Sequence, residues 1–398
     1  MTLPAHWQSY ASHRLQAVRD QGRWRSLRTI GSAAGPTVQV AGRSVAMFCS
    51  NDYLSLAGSD HLRAALAQAV AQWGAGSSGS PLISGYSAAH AALCERLAQW
   101  KGAQRALLFN SGWQCNTGVF AALGTAEDPV VVFSDALNHA SLIDGLRGAT
   151  SERHIYRHAD MGHLDQLLQR HAAGRRALIV TESIFSMDGN AAPLETICDL
   201  AEQHGALVYV DEAHASGLYG PQGAGLVSEL GLQPRVAMQM GTLGKALGMA
   251  GAYIAVPQLL YDLLVNSQRS LIFSTAMPPA WAQAAQAAID YAQQHAADVR
   301  RYRERCAALA ARLRAQGLRV PATDSPIIPV IVGPEQATME LCAWLLEQGF
   351  HVQGIRPPTV ASGSSRLRLT LQLGHSESQI AALEAALVEG YRRFVPGG

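Results

Sequence analysis

Met240-Gly241-Thr242-Leu243-Gly244-Lys245-Ala246-Leu247-Gly248 sets one lysine among small and apolar residues, between the strand-like runs Val236–Met240 and Gly251–Val256. A lone lysine there is either a solvated loop residue or an amine with a chemical task, and the stretch by itself leaves both open. An apolar setting disfavours the ammonium form and lowers its pKa, which lets a lysine react with a carbonyl. The flanking runs are the clue to the fold, because their pattern repeats along the chain.

Upstream, the strand-like segments Arg105–Phe109, Val130–Phe133, His154–Tyr156, Ala177–Thr181 and Leu207–Val210 alternate with helical stretches over 88–100, 112–123, 139–147, 162–172 and 194–204. Unbroken Val/Ile/Leu runs separated by helices predict an α/β fold, a mostly parallel sheet covered by helices on both faces. Ligands of such sheets sit beyond the carboxyl ends of the strands. There the chain carries Asn110-Ser111-Gly112-Trp113, Asn138-His139, Ser186, Asp211 with His214, and Thr242 with Lys245.

Downstream, a long helix over 278–315 is followed by strands at 327–332 and 365–371 and helices near 335–348 and 376–393, a smaller C-terminal α+β domain. The N-terminal end reads as an amphipathic helix over 5–28, then short strands at 37–40 and 44–49. The basic end of that helix (Arg19, Arg23, Arg25, Arg28) is either a solvated face or an arm reaching an acidic ligand. The expected division is 1–50 for the arm and its strands, 51–290 for a large domain and 291–398 for a small one.

With 48% hydrophobic and 15% charged residues over 398 positions, the chain is an ordinary globular protein rather than a disordered one. A formal net charge of +1 gives no reason to expect a nucleic-acid or membrane partner. Six scattered cysteines (Cys49, Cys94, Cys115, Cys198, Cys306, Cys342) form no CxxC pair, so no metal site is expected and they read as core thiols of a cytoplasmic protein. Residues 1–12 are polar and lack the apolar core of a signal peptide.

Two textual motifs mislead. Gly74-Ala75-Gly76-Ser77-Ser78-Gly79 matches GxGxxG, but a helix precedes it and an irregular Ser/Gly/Pro stretch follows, the reverse of a dinucleotide fold. The loop 79–87 reads instead as exposed backbone near a ligand. Asp211-Glu212-Ala213-His214 spells a helicase DEAH box. No GxxxxGK[ST] loop accompanies it: Gln239 stands where the first glycine belongs, and Ala246 where Ser or Thr belongs.

The same residues suit a pyridoxal 5'-phosphate site. That cofactor needs an amine for its aldehyde (Lys245), a carboxylate at its ring nitrogen (Asp211) and a flat group against its face (His139). His214 is placed for the phenolic oxygen. A helix start at Ser111-Gly112-Trp113, with the hydroxyls of Thr242 and Thr275, suits the phosphate. Each feature alone has a plain structural reading, a buried histidine or a capping aspartate; their joint occurrence carries the weight.

The stretches Ser50-Asn51-Asp52-Tyr53-Leu54, Ser84-Gly85-Tyr86, Asn138-His139-Ala140-Ser141, Phe185-Ser186-Met187-Asp188-Gly189, Asp211–His214, Thr242–Lys245 and Phe273–Pro279 resemble the α-oxoamine synthases, fold-type I pyridoxal-phosphate enzymes. The resemblance implies that Lys245 binds the cofactor and then acts as the base, that Asp211 pairs with the ring nitrogen, and that His139 stacks on the ring. It puts His214 and Ser186 at the phenolic oxygen, and Gly112, Trp113, Thr242 and Thr275 around the phosphate, with Thr275 given across a homodimer interface. Arg368, with Asn51 and His139, would hold the amino-acid substrate; Arg25 and Thr359 would contact an acyl thioester. Within the family, Ile355-Arg356-Pro357-Pro358-Thr359-Val360 and Arg366–Thr370 look most like members that condense L-alanine with a pimeloyl thioester, on CoA or acyl carrier protein, in biotin biosynthesis. The Lys245 motif is shared with members that join glycine to acetyl-CoA, so it does not discriminate between the two.

Overall fold

A computed structural model describes residues 2–323 and 325–395. The chain opens with α1 (Ala5–Asp20), β1 (Thr37–Val40) and β2 (Arg43–Met47). Then come α2 (Asp60–Trp73), α3 (Ala88–Lys101), β3 (Arg105–Phe109), α4 (Gly112–Leu123), β4 (Val130–Asp135), α5 (Ala140–Gly148), β5 (Ser151–Tyr156), α6 (Met161–His171), β6 (Ala177–Glu182), α7 (Leu194–His204) and β7 (Ala206–Asp211). A short α8 (Leu226–Glu229) leads to β8 (Met238–Thr242), β9 (Ala252–Val256), α9 (Gln258–Ser267), α10 (Arg269–Ile272), α11 (Pro279–Gln294) and α12 (Ala296–Ala315). The remainder holds β10 (Ile327–Gly333), α13 (Glu335–Glu347), β11 (Phe350–His351), β12 (Gln353–Ile355), β13 (Ser365–Thr370) and α14 (Glu377–Phe394).

Among these residues the main sheet has seven strands in the order β3-β9-β8-β7-β6-β4-β5. Only β9 runs antiparallel to its neighbours. The apolar runs are continuous because both faces are covered. Val131, Phe133, Ile179, Val208 and Val210 enter one core with α3, α6, α7 and α11. The alternate residues Val132, Leu178, Val180 and Tyr209 enter a second core with α4, α5 and α9. Each such Val, Ile or Leu stabilises the fold by about 1.5–3 kcal/mol relative to exposure, which holds the strand ends, and the side chains on them, in fixed register.

Two small sheets complete the chain. β10, β13 and β12 form an antiparallel sheet, and β11 adds in parallel to β2, joining the N-terminal segment to the C-terminal one. No helix among the described residues is long and apolar enough to cross a membrane.

The structure corrects two expectations. The first helix stops at Asp20, not 28: Gly22 takes a left-handed turn (φ 64°) and the Arg23 N–H returns to the Val18 carbonyl. The expected helix over 278–315 is two helices broken at His295, whose ring stacks on Tyr291 and whose Nδ1 lies 2.9 Å from that residue's carbonyl oxygen. On either side of that break, α11 packs on α2 and α3 while α12 packs on α14 and β10.

Candidate active site

At the carboxyl ends of β6, β7 and β8 a cavity of about 520 Å³ is lined by Gly112, Trp113, Asn116, His139, Ser141, Glu182, Asp211, Ala213, His214, Met240, Thr242 and Lys245. The sheet register explains the convergence. Glu182 pairs with Asp211, and Asp211 with Met240, so β6 and β7 end level and β8 runs two residues further, to Thr242. Lys245 follows three residues after β8, in a turn closed by the Gly248 N–H on the Lys245 carbonyl.

The Lys245 amine meets an imidazole rather than a carboxylate: its Nζ lies 2.8 Å from His214 Nε2. Burial by the surrounding walls pushes its pKa down to about 8, although Asp211 and Glu182 pull it back up; Arg368 adds to the lowering. His214 is held well below the usual imidazole range by burial, then by the charges of Lys245 and Arg368. It is therefore neutral at neutral pH.

Asp211 is oriented from two sides. Its Oδ2 accepts from Asn116 Nδ2 at 2.8 Å and its Oδ1 from the Ala213 N–H at 2.9 Å. Asn116 is itself fixed by the Tyr209 hydroxyl at 2.5 Å and donates to Ser141 Oγ at 2.9 Å. Glu182 beside it is buried, with Oε1 unpartnered, and its carboxyl is raised well above the carboxylate range by burial and by Asp211.

His139 caps α5: its Nδ1 accepts from the Ser141 N–H at 3.2 Å, which leaves Nε2 carrying the proton in the neutral ring. Trp113 stands edge-on to it, ring centroids 6.2 Å apart at 82°. Gly112 opens α4 after the cap Ser111, and a Cβ on it would sit 2.8 Å from Met240 Cε. A helix start stripped of side chain at that point is a cradle for an anion.

Seven of the expected residues thus meet in one cavity: Gly112, Trp113, His139, Asp211, His214, Thr242 and Lys245. Ser186, Asn51 and Arg368 form an adjoining group. Arg368 donates from Nε to the Ser186 carbonyl at 2.6 Å and from Nη1 to Asn51 Oδ1 at 3.1 Å. Thr275 is elsewhere, in an apolar cavity of about 680 Å³ with Tyr86, His90 and Met277. Arg25 and Thr359 are exposed; the arm before Arg25 is pinned by Arg356, which donates to the Gly22 and Trp24 carbonyls at 2.6 and 2.7 Å. Asn116 and Glu182 are site residues outside every quoted motif, and Ser141 and Tyr53 stand in quoted motifs that gave them no role. For Glu182 the signal was an acid closing the apolar run Ala177–Val180.

Residues 43–387 match the aminotransferase class I and II family. The chain belongs to that family. An 8-amino-7-oxononanoate synthase of Anaeromyxobacter dehalogenans is 47% identical over 384 residues, 96% of each chain. Another of that name, from Trichlorobacter lovleyi, is 47% identical and covers 94% of this chain and 96% of its own. Among solved structures, a serine palmitoyltransferase variant from S. paucimobilis, with bound PLP–myriocin aldimine, superposes with a TM-score of 0.91 at 26% identity, covering 99% of both chains. Family membership and the superposition account for the fold.

Proposed function

We propose that this chain is a pyridoxal 5'-phosphate-dependent 8-amino-7-oxononanoate synthase, an acyltransferase that condenses L-alanine with a pimeloyl thioester, releasing carbon dioxide and free thiol, in biotin biosynthesis. The observation that carries the reading is Lys245: an amine with its pKa lowered to about 8, in a cavity with an oriented carboxyl opposite, in a chain 47% identical to synthases of that name.

The residues fit the cofactor. Lys245 would take its aldehyde, Asp211 would pair with the ring nitrogen, and His139 would lie against the ring. His214 and Ser186 would serve the phenolic oxygen. Gly112, Trp113 and Thr242 would hold the phosphate. When bound, the cofactor supplies an electron sink for the bonds broken at the substrate's α-carbon.

The chain's own work is orientation and proton handling. Two hydrogen bonds fix the Arg368 guanidinium plane, so a substrate carboxylate held there, with Asn51 and His139 beside it, is set at one angle, and orientation decides which α-carbon bond breaks. Lys245 Nζ takes the α-proton; a base near pKa 8 is matched to proton transfer around neutral pH. Arg25 and Thr359 receive the acyl thioester at the outer rim. Thr275 would reach the phosphate site of a second copy in a homodimer. The exposed apolar side chains Leu82, Ile83 and Phe273 beside the Thr275 cavity support that reading. Six free thiols suit the cytoplasm.

The test is a two-by-two assay of purified protein, alanine or glycine against pimeloyl-CoA or acetyl-CoA. Alanine with pimeloyl-CoA is expected to dominate. Preference for glycine with acetyl-CoA would replace the assignment with 2-amino-3-ketobutyrate CoA ligase. A yellow protein whose chromophore is fixed to Lys245 by borohydride is expected in either case.

A further inference from the structure

The hydrogen bonds that start at Lys245 do not end at His214. His214 Nδ1 lies 2.6 Å from the Tyr53 hydroxyl, which donates to Asn51 Oδ1 at 3.2 Å, and the same Asn51 oxygen accepts Arg368 Nη1 at 3.1 Å. We propose that Tyr53 is a positioning residue that sets which ring nitrogen of His214 carries the proton, and so couples the Lys245 amine to the Asn51–Arg368 group. This deepens the proposed function and rests on its reading of Asn51 and Arg368 as the anchor for the substrate carboxylate.

Donor counting favours one direction along the chain of bonds. Asn51 Oδ1 has no hydrogen, so the single phenolic proton of Tyr53 goes to it. The Tyr53 oxygen then accepts, from His214 Nδ1–H at 2.6 Å and from the Arg368 guanidinium, which also reaches it. A neutral His214 protonated at Nδ1 has a bare Nε2, which accepts from Lys245 Nζ. The reverse polarity has one cost. If Lys245 turns a lone pair to a His214 Nε2–H, Nδ1 becomes bare, Tyr53 donates to it, and Asn51 Oδ1 loses that donor. The protonation of Nζ and the filling of Asn51 Oδ1 are therefore linked, although they lie at opposite ends of the chain of bonds.

Burial makes the linkage felt. Tyr53 is fully buried, His214 is 4% exposed and Arg368 6%, so water does not replace a lost partner. The charged and titratable groups facing the chain are Asp211, Glu182 and Arg368 around Lys245, Lys245, Arg368 and His139 around His214, and Arg368 and Cys306 around Tyr53. A carboxylate bound at Arg368 draws the guanidinium away from Asn51 Oδ1, which then pulls harder on the Tyr53 proton. That favours the forward polarity and raises the pKa of the Lys245 nitrogen.

Two measurements on wild type and Tyr53→Phe test this. In cofactor-free protein with labelled histidine, ¹⁵N shifts of His214 are expected to show the Nδ1–H tautomer in wild type and a shift toward Nε2–H in Tyr53→Phe. An Nε2–H ring in wild type, or the same tautomer in both, overturns the proposal; the wild-type result alone decides if the variant does not fold. In the holoenzyme, the pH midpoint of the lysine-linked chromophore is read with and without propionate, which is alanine lacking its amino group. Propionate is expected to raise the wild-type midpoint by about 1 unit, and the Tyr53→Phe midpoint by at most about half as much. Equal shifts overturn the coupling. A wild-type protein indifferent to propionate removes the anchor reading and the coupling with it, while the tautomer measurement still decides the role of Tyr53.

Discussion

Two lysines lie within this fold on either side of one strand end, and they have opposite fates. Asp211 and Glu212 are sequence neighbours whose side chains leave the end of β7 in different directions. Glu212 is fully buried in an ion pair with the fully buried Lys101. Lys101 also donates to the Ala224 carbonyl, and Glu212 Oε1 accepts from the Val227 N–H at 2.9 Å. Gly225, at φ 115°, leaves room for that pair, since a Cβ there would run into the Glu212 carboxylate. Burial alone would lower the Lys101 pKa, but Glu212 and Tyr253 outweigh it and the net displacement is upward. Lys245 shares a cavity with Asp211 but has no ion pair with it, because Asp211 is engaged by Asn116 and the Ala213 N–H. Burial then wins, and its pKa falls to about 8. Low polarity makes an amine available only where no carboxylate reaches it.

The contrast breaks most visibly on removal of each amine. Lys245→Ala is expected to lower turnover by at least about 10³-fold while leaving the fold intact, since the amine serves as both attachment point and base. Steady-state kinetics and the loss of borohydride fixation check this; a variant near wild-type rate would remove Lys245 from the chemistry. Lys101→Met should do the reverse. It strands the buried Glu212 charge and is expected to cost about 3–5 kcal/mol of stability, read by urea denaturation, with turnover per folded molecule little changed. Pairing it with Glu212→Met should restore most of the loss, because two well-packed apolar side chains replace a desolvated ion pair at little net cost. A Lys101→Met protein as stable as wild type would mean that the pair is not what holds this lysine.

The sequence distinguishes the two lysines poorly, and the reason is physical. Lys101 closes an amphipathic-looking helix before Gly102, a position that ordinarily faces water; only the tertiary approach of residues 212–227 buries it. Lys245 is legible because its neighbours are small and apolar and its partners stand at strand ends that periodicity locates. The sheet was readable for the same reason: β4, β6 and β7 are apolar on both faces, and no loop looks like that. Elements that exist only through their partners were invisible. β11 and β12 are two and three residues long and take strand form because β2 and β13 lie beside them. The break at His295 carries neither proline nor glycine, so helix propensity runs through it unmarked. Gly22, by contrast, was a readable stop that the run of arginines masked. Within the site, Asn116 and Tyr53 act through bonds to other side chains rather than as part of a charge pattern, and only coordinates reveal such bonds.

The subtlest difference between the lysines is their titration, and it separates the contributions of the two acids beside Lys245. In cofactor-free protein the amine should become reactive as pH rises through about 8 rather than 10.5, measured as the rate of acylation at Lys245 by a small active ester, read by peptide mass spectrometry. Asp211 raises this pKa, so Asp211→Asn is expected to move the midpoint lower, by about 1 unit. Glu182→Gln should move it the same way but by less, because Glu182 is the weaker of the two acids that raise the Lys245 pKa. Stability follows the same sign. Between pH 8 and 10.5 the unfolded chain binds a proton at Lys245 that the folded chain does not, so folding free energy is gained as pH rises through that window. Lys245→Met, having no ammonium to desolvate, should lose that slope, whereas Lys101→Met should leave it in place. If both variants keep the slope, the depressed amine is not Lys245.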